Sequence, residues 1–427
     1  MKGAPKALVF MLMLGSVGLI GCGRNDGEGV GEQAKEGTGG QTIMSDQTKA
    51  VVAGNNAFAL ELYGQLKGTS GNLFFSPYSI SSCLAMVYAG ARGSTEKQMA
   101  GVLHFGTNQV QAAFGDLQRQ LNQAAERKGI DLHTANGLWV QQGQTILPAF
   151  LDIARQQYDA NVKQCDFASE AETARADINS WVKGKTKGAI GDIIPSGMLN
   201  RDSRLVLVNA IYFKGVWRTK FDPKFTKDSN FHVDDEHEVQ CPTMFCSGKF
   251  LFCYGYRPPC SCEVLELPYV GKDLSLFVIL PQKPDGLADL ENNLTDKYLA
   301  ALLASVQETD VAVKLPKFRF QAESSLDKVL PAMGLSEAFT ANADFSGIDG
   351  RKILYLSSVR HRAFVEVTEE GTTAAAATTA HLMELSATPI FQADHPFLFL
   401  IRDNRSGSIL FMGRLVDPTK SVEINAG

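Results

Sequence analysis

The stretch LVLVNAIYF (Leu205–Phe213) constrains the fold more than any other part of the chain. It is apolar at nearly every position, so it lacks the alternation of a strand with one wet face. Such a run fits a strand covered on both faces, which requires a sheet with structure layered above and below it. Asn209 interrupts the run. A buried amide left unpaired costs about 1–3 kcal/mol, so Asn209 must find a partner in the core. His361, beside the strand pattern AFVEV (Ala363–Val367), falls under the same demand if that strand is interior.

The rest of the pattern divides into early helices and later strands. SPYSISSCLAMVYAGA (Ser76–Ala91) puts Ile80, Leu84, Val87, Tyr88 and Ala91 on one helical stripe. Thr95 with Gln98 three residues on predicts a capping box for the next helix. After Leu205 come LSLFVIL (Leu274–Leu280), VAVKLPKFRF (Val311–Phe320), AFVEV, PFLFLIR (Pro396–Arg402) and SILFMGR (Ser408–Arg414). DNRSG (Asp403–Gly407) joins the last two as a hairpin turn. This order predicts an α+β fold with large, mainly antiparallel sheets.

The N-terminus reads as an address. Lys2 and Lys6 precede the 15-residue apolar run Ala7–Gly21, too short to span a bilayer and fitting a signal peptide. The run ends in LIGC (Leu19–Cys22), which resembles the bacterial lipobox, so residues 1–22 are expected to direct export and Cys22 to carry a lipid. Residues 23–46 are Gly-rich and nearly free of apolar side chains. They predict a flexible tether reaching roughly 25–30 Å from a membrane. Residues 47–427 hold no second linker or repeat and are expected to form one domain, lipid-anchored to the cell envelope, outer membrane or cell surface, or extracellular.

Composition argues against several functions. The formal net charge is -5 and no basic tract is present, which points away from a nucleic-acid partner. Five of the cysteines crowd into Cys241–Cys262, as disulfides or free thiols; the spacing is a poor match to a zinc site. HEVQC (His237–Cys241) has Cys where a zinc-protease motif needs His, and FHVDDEHEVQ alternates like a strand. GKT (Gly184–Thr186) lacks the glycine of a phosphate loop at position 179. No nucleophile elbow occurs. The residues offer no catalytic site, metal site or cofactor motif.

EEGTTAAAATTA (Glu369–Ala380) follows AFVEV and contains nine consecutive residues of Ala and Thr only. On composition it reads equally as an Ala-rich linker, a marginal helix, or a segment built to change environment. The flanking motifs bear on that choice. NLFFSPYSI (Asn72–Ile80), LVLVNAIYFKGVW (Leu205–Trp217), ADFSGI (Ala343–Ile348), VRHRAFVEVTEEGTTAAAAT (Val359–Thr378), ADHPFLFLIRD (Ala393–Asp403) and ILFMGRLVDP (Ile409–Pro418) occur in order and at compatible spacing. Together they resemble the serpins, the serine protease inhibitor superfamily, over roughly Ala50–Thr419.

The resemblance implies a serpin fold with an exposed reactive-centre loop at about residues 369–392. It places Ser76, Ser79, Asn209 and His361 together in the shutter of the central sheet. It places Trp217 at the breach, where the loop enters. Glu369 and Glu370 begin the hinge, and Lys317 is implied as the partner of Glu369. From Gly371, Thr372, Ala374, Ala376, Thr378 and Ala380 would turn inward in an inserted strand, and Thr373, Ala375 and Ala377 outward. The inward residues are small and uncharged, so insertion would bury no charge. Counting 16 residues from Glu369, or 11 back from Pro396, reaches Leu385, which makes Leu385–Ser386 the expected reactive bond; Leu382 and Met383 are alternatives. A monomeric suicide inhibitor of serine proteases is implied, chymotrypsin-, cathepsin-G-, elastase- or subtilisin-like, with no cofactor. A non-inhibitory carrier, chaperone or storage serpin and a cysteine-protease inhibitor are the other readings.

Overall fold

The computed structural model describes residues 44–256, 259–371 and 388–420. The segments holding Cys22, the tether up to residue 43, hinge residues Thr372–Thr378 and the bond Leu385–Ser386 lie outside them. Residues from Met44 onward form one unit. The strands are β1 (Leu73–Phe75), β2 (Ile130–Gln141), β3 (Asn161–Cys165), β4 (Leu205–Gly215), β5 (Lys227–His232), β6 (Glu238–Tyr256) and β7 (Cys262–Pro268). They continue with β8 (Leu274–Pro281), β9 (Gln307–Pro316), β10 (Phe318–Ser325), β11 (Leu356–Val367), β12 (Ile390–Gln392), β13 (Phe397–Asp403) and β14 (Ile409–Leu415). Helices α1 (Asp46–Leu66), α2 (Pro77–Tyr88), α3 (Gly93–Val102), α4 (Val110–Ala125), α5 (Pro148–Tyr158) and α6 (Ala171–Lys185) all precede β4, and only shorter helices follow it. The architecture is α+β.

The run LVLVNAIYF forms β4, in the middle of a five-stranded sheet of order β10-β11-β4-β2-β3. Its odd-numbered residues Leu205, Leu207, Ile211 and Phe213 face the main core, while Val206, Val208 and Ala210 face a smaller cluster under α6. That two-sided burial explains why no alternation appears in the sequence. A second sheet has the order β1-β14-β13-β8-β7-β6-β9-β12, with β5 beside β6. Most pairings are antiparallel; β4–β11, β2–β3 and β9–β12 are parallel. Phe74 of β1 joins the two sheets, its ring 5.5 Å from Phe411 of β14 and 6.0 Å from Phe320 of β10.

Three local expectations are corrected. Helix α2 buries every residue from Pro77 to Val87 rather than a stripe, because it runs between the sheets and α1. Helix α3 has Arg92 at its N-cap with no side-chain cap. Thr95 and Gln98 instead hold a distant segment: Thr95 Oγ1 accepts from Asp344 N at 3.0 Å and Gln98 Oε1 accepts from Glu337 N at 3.0 Å. FHVDDEHEVQ is not one strand but the β5–β6 hairpin, where Asp234 accepts from the backbone N–H of Glu236 and His237.

Helix α6 lies over β2 and β4 and is held by Asn179. Its side chain accepts from Ile194 N at 2.9 Å and donates to Ile194 O at 3.0 Å, beneath Ile178, Val182, Ile190 and Ile193. Asn179→Ala leaves both backbone groups of a buried residue unpaired. A loss of about 1–3 kcal/mol in unfolding free energy is expected, measured by urea titration.

Candidate functional site

The seam between β4 and β11 collects the polar residues that the sequence left without partners. The strands are parallel and pair directly from Leu205↔Leu356 to Phe213↔Val365, with Asn209 opposite His361. The His361 ring is fully buried. Its Nε2 accepts from Ser76 N at 3.1 Å, so the ring proton sits on Nδ1, which donates to Asn209 Oδ1 at 2.6 Å. That leaves the Asn209 amide to donate to Ser79 Oγ at 2.6 Å and to Asn136 Oδ1 at 2.8 Å. Ser76 caps α2 by accepting from Ser79 N, and its hydroxyl donates to Leu410 O of β14 at 2.5 Å. The structure thus brings Ser76, Ser79, Asn209 and His361 together. It adds Asn136 of β2, which the sequence did not single out. Asn136 sits in a mixed polar and small-residue stretch, DLHTANG, where an amide draws no attention.

This network accepts only a neutral imidazole. A second ring proton would oppose the Ser76 N–H, and burial pushes His361 down to about 3.

The upper end of the seam is closed by a clamp. Trp217 is buried and stacks on Tyr269 with centroids 4.4 Å apart; its Nε1 donates to Thr368 O at 2.8 Å. Trp217 N and Phe221 N donate to Glu370 O and Glu369 O. The Lys317 ammonium lies 2.8 Å from Glu369 Oε2, and Thr226 Oγ1 donates to Oε1 at 2.9 Å. Burial pushes the Glu369 carboxyl up, but the Lys317 and Thr226 hydrogen bonds outweigh it and hold it below the usual range. At Gly371 the chain turns back over β4 with φ +77°. A Cβ there would meet Gly215 O at 2.2 Å and Trp217 N at 2.3 Å, so the position excludes any side chain.

Elsewhere, Cys83, Cys165, Cys241, Cys246, Cys253, Cys260 and Cys262 are free thiols, the first four and Cys262 buried. Among the described residues no group of His, Cys, Asp and Glu has the arrangement of a metal site. No described helix is long and apolar enough to cross a membrane.

The strand seam is thus clamped at its top, and the clamp is followed in the sequence by the charge-free run Thr372–Ala380. The sequence profile of the family described as "Serpin (serine protease inhibitor)" matches residues 53–418. The chain belongs to the serpin family. A leukocyte elastase inhibitor of Bos taurus is 40% identical over 376 residues, covering 86% of this chain and 99% of its own. A serpin-like protein of Methanosarcina acetivorans is 39% identical over 372 residues, 86% of each chain. Uncleaved ovalbumin superposes with a TM-score of 0.79 at 29% identity, covering 86% of this serpin and all of ovalbumin. At the level of the family this is a protease inhibitor and not an enzyme.

The His361 network predicts acid sensitivity. The unfolded-state histidine takes up a proton near pH 6.5, while the folded one stays neutral until about 3. Between those values the unfolded state binds more protons, so stability falls as pH drops. Between pH 7 and pH 5 this loss amounts to roughly 2 kcal/mol. His361→Gln should remove that part of the slope, measured as the difference between urea midpoints at the two pH values. Equal losses in both proteins would refute the neutral-histidine assignment.

Proposed function

We propose that this serpin is an irreversible suicide inhibitor of serine proteases, cleaved at Leu385–Ser386 and trapping its target by inserting the segment after Gly371 between β4 and β11. The observation that carries this reading is the seam itself. Two parallel strands pair directly, and the chain reverses at the Thr368↔Gly371 bridge immediately above them. A strand entering from that turn runs antiparallel to both neighbours. It replaces one parallel ladder by two antiparallel ones, the more stable pairing per residue.

Continuing the antiparallel register of the Thr368↔Gly371 bridge sets Thr372 opposite Val367, Ala374 opposite Val365 and Thr378 opposite His361. Those β11 residues face the core, which agrees with the small, uncharged inward set Thr372, Ala374, Ala376, Thr378 and Ala380. The protease attacks as on a substrate and forms an acyl-enzyme, with the new amino group leaving at Ser386. Insertion over the fourteen rises from Gly371 to Leu385 moves the attached enzyme by roughly 46 Å. About a dozen new ladder bonds at roughly 0.5–1.5 kcal/mol each favour the inserted state, so the uncleaved form is kinetically held.

Leu385 as the primary side chain suits the apolar pockets of chymotrypsin-like, cathepsin-G-like, subtilisin-like and some elastase-like enzymes. The bovine relative carries leukocyte elastase in its name. By the same reading Ser76, Ser79, Asn209 and His361 form the shutter, Trp217 the breach, and Glu369 with Lys317 the hinge anchor. Lipidation at Cys22 after export would tether this monomer to a membrane.

Two substitutions test the reading. Leu385→Arg should lower the rate of inhibition of chymotrypsin by at least about a hundredfold, because an apolar pocket must bury the guanidinium unpaired, and should create inhibition of trypsin. Mass spectrometry of the wild-type reaction fixes the cleaved bond, and cleavage elsewhere would overturn the loop count.

Thr372→Arg leaves Leu385 untouched but puts a charge on the first inward position. It should turn the inhibitor into a substrate, raising the moles consumed per mole of chymotrypsin several-fold. Covalent complex at wild-type stoichiometry would rule out insertion.

A further inference from the structure

The face of the five-stranded sheet that carries α6 also carries a continuous row of side chains from four strands. His133 of β2 stacks on Tyr212 of β4 with centroids 6.2 Å apart. Tyr212 stacks on Phe364 of β11 at 5.1 Å, the rings within 19° of parallel. The Arg319 guanidinium of β10 lies 5.0 Å over the Phe364 ring. Tyr212 is directly opposite both His133 and Phe364 in the strand registers, so the row crosses the β4–β11 seam at a right angle to the strands.

Its position on the seam is distinctive. The other facing pairs there on this side are Val206–Ser358, Val208–Arg360 and Ala210–Arg362. Arg360 and Arg362 turn away to Asp327 and Glu323, on the β10 side. Tyr212–Phe364 is therefore the one ring pair bridging the seam on this face among the described residues. Phe364 is only 4% exposed and belongs to the apolar cluster under α6.

We propose that this row is a staple that holds β4 and β11 together and sets the rate at which the seam opens to an incoming strand. The inference rests on the inserting-loop reading above. The ring pair exists only while the two strands are neighbours. A strand between them separates the rings by two strand spacings, about 9.5 Å, beyond stacking distance. The register that continues the Thr368↔Gly371 bridge brings Ala375 opposite Phe364, and a methyl group restores none of the stacking. His133 and Arg319 extend the contact to the flanking strands, so parting the seam disturbs four strands rather than two. The staple thus stabilises the closed form and contributes nothing to the inserted one. A side chain that merely packs would stabilise both.

The test is a double-mutant cycle of Tyr212→Leu and Phe364→Leu in the full chain, read on three quantities. The first is the rate at which uncleaved protein takes up a synthetic peptide of residues 371–384. Each variant should accelerate uptake by about two- to twelvefold, the range an aromatic pair supplies, and the double variant no more than the faster single one. The second is heat stability after loop cleavage, where the two substitutions should act independently. The third is the number of inhibitor molecules consumed per chymotrypsin trapped, which faster insertion should lower or leave at its minimum. Uptake within twofold of wild type, additive effects in the uncleaved form, or equal coupling in the cleaved form would each overturn the staple. If wild type neither takes up peptide nor gains heat stability on cleavage, the inserting-loop reading falls and the staple falls with it. If wild type does both and the variants change nothing, only the staple falls.

Discussion

The parallel pairing of β4 with β11 is the contact on which the rest of the molecule depends. Along its core side the ladder carries Leu205–Leu356, Leu207–Val359, Ile211–Ala363 and Phe213–Val365, with the single polar pair Asn209–His361 among them. An amide and an imidazole in that position need every hydrogen bond satisfied, because an unpaired buried polar group costs more than a good one contributes. The bonds they make reach three other elements: α2 through its N-cap Ser76 and through Ser79, β2 through Asn136 and, by way of Ser76, β14 at Leu410. Separating β4 from β11 therefore disturbs helix, sheet and C-terminal hairpin together. Such a seam stays closed at rest, yet it is made of discrete bonds that a new strand with its own ladder can replace.

The clamp above the seam works by a different physics. Lys317, Thr226 and the backbone of Trp217 and Phe221 fix Glu369 and Glu370 where β11 ends, and Gly371 passes so close to β4 that only hydrogen fits on its Cα. Glu369 is buried and Lys317 partly exposed, so desolvation offsets much of their attraction and the pair adds little to overall stability. Its effect is positional. It fixes Gly371, the last described residue before the loop, at the top of the seam.

Much of this was legible in the chain, and the exceptions have reasons. LVLVNAIYF announced a strand buried on both faces because burial removes the polar half of the alternation, and Asn209 and His361 stood out as polar groups in apolar runs. Pairing Glu369 with Lys317 came from resemblance, since 52 residues separate them and no local pattern links the two. Asn136 was missed because its polar and small neighbours already mask it. Thr95 and Gln98 look like a capping box but spend their hydrogen bonds on residues 337 and 344, a tertiary use that spacing cannot reveal. The row from His133 to Arg319 depends on which strands lie side by side, including one parallel pairing, so it has no signature in any single segment.

The place of the last hairpin in the nine-stranded sheet has a consequence for how the protein is made. β13 and β14 are the last strands among the described residues, yet they lie between β1 and β8, and β14 supplies the carbonyl of Leu410 that receives the Ser76 hydroxyl. A ribosome must release almost the whole polypeptide before either the second sheet or the polar centre of the first can close. Until then the strands on both sides of the missing hairpin remain open-edged and prone to wrong partners. That delay leaves the molecule an incomplete fold through most of its synthesis, and the two sheets lock together only when the C-terminal hairpin arrives.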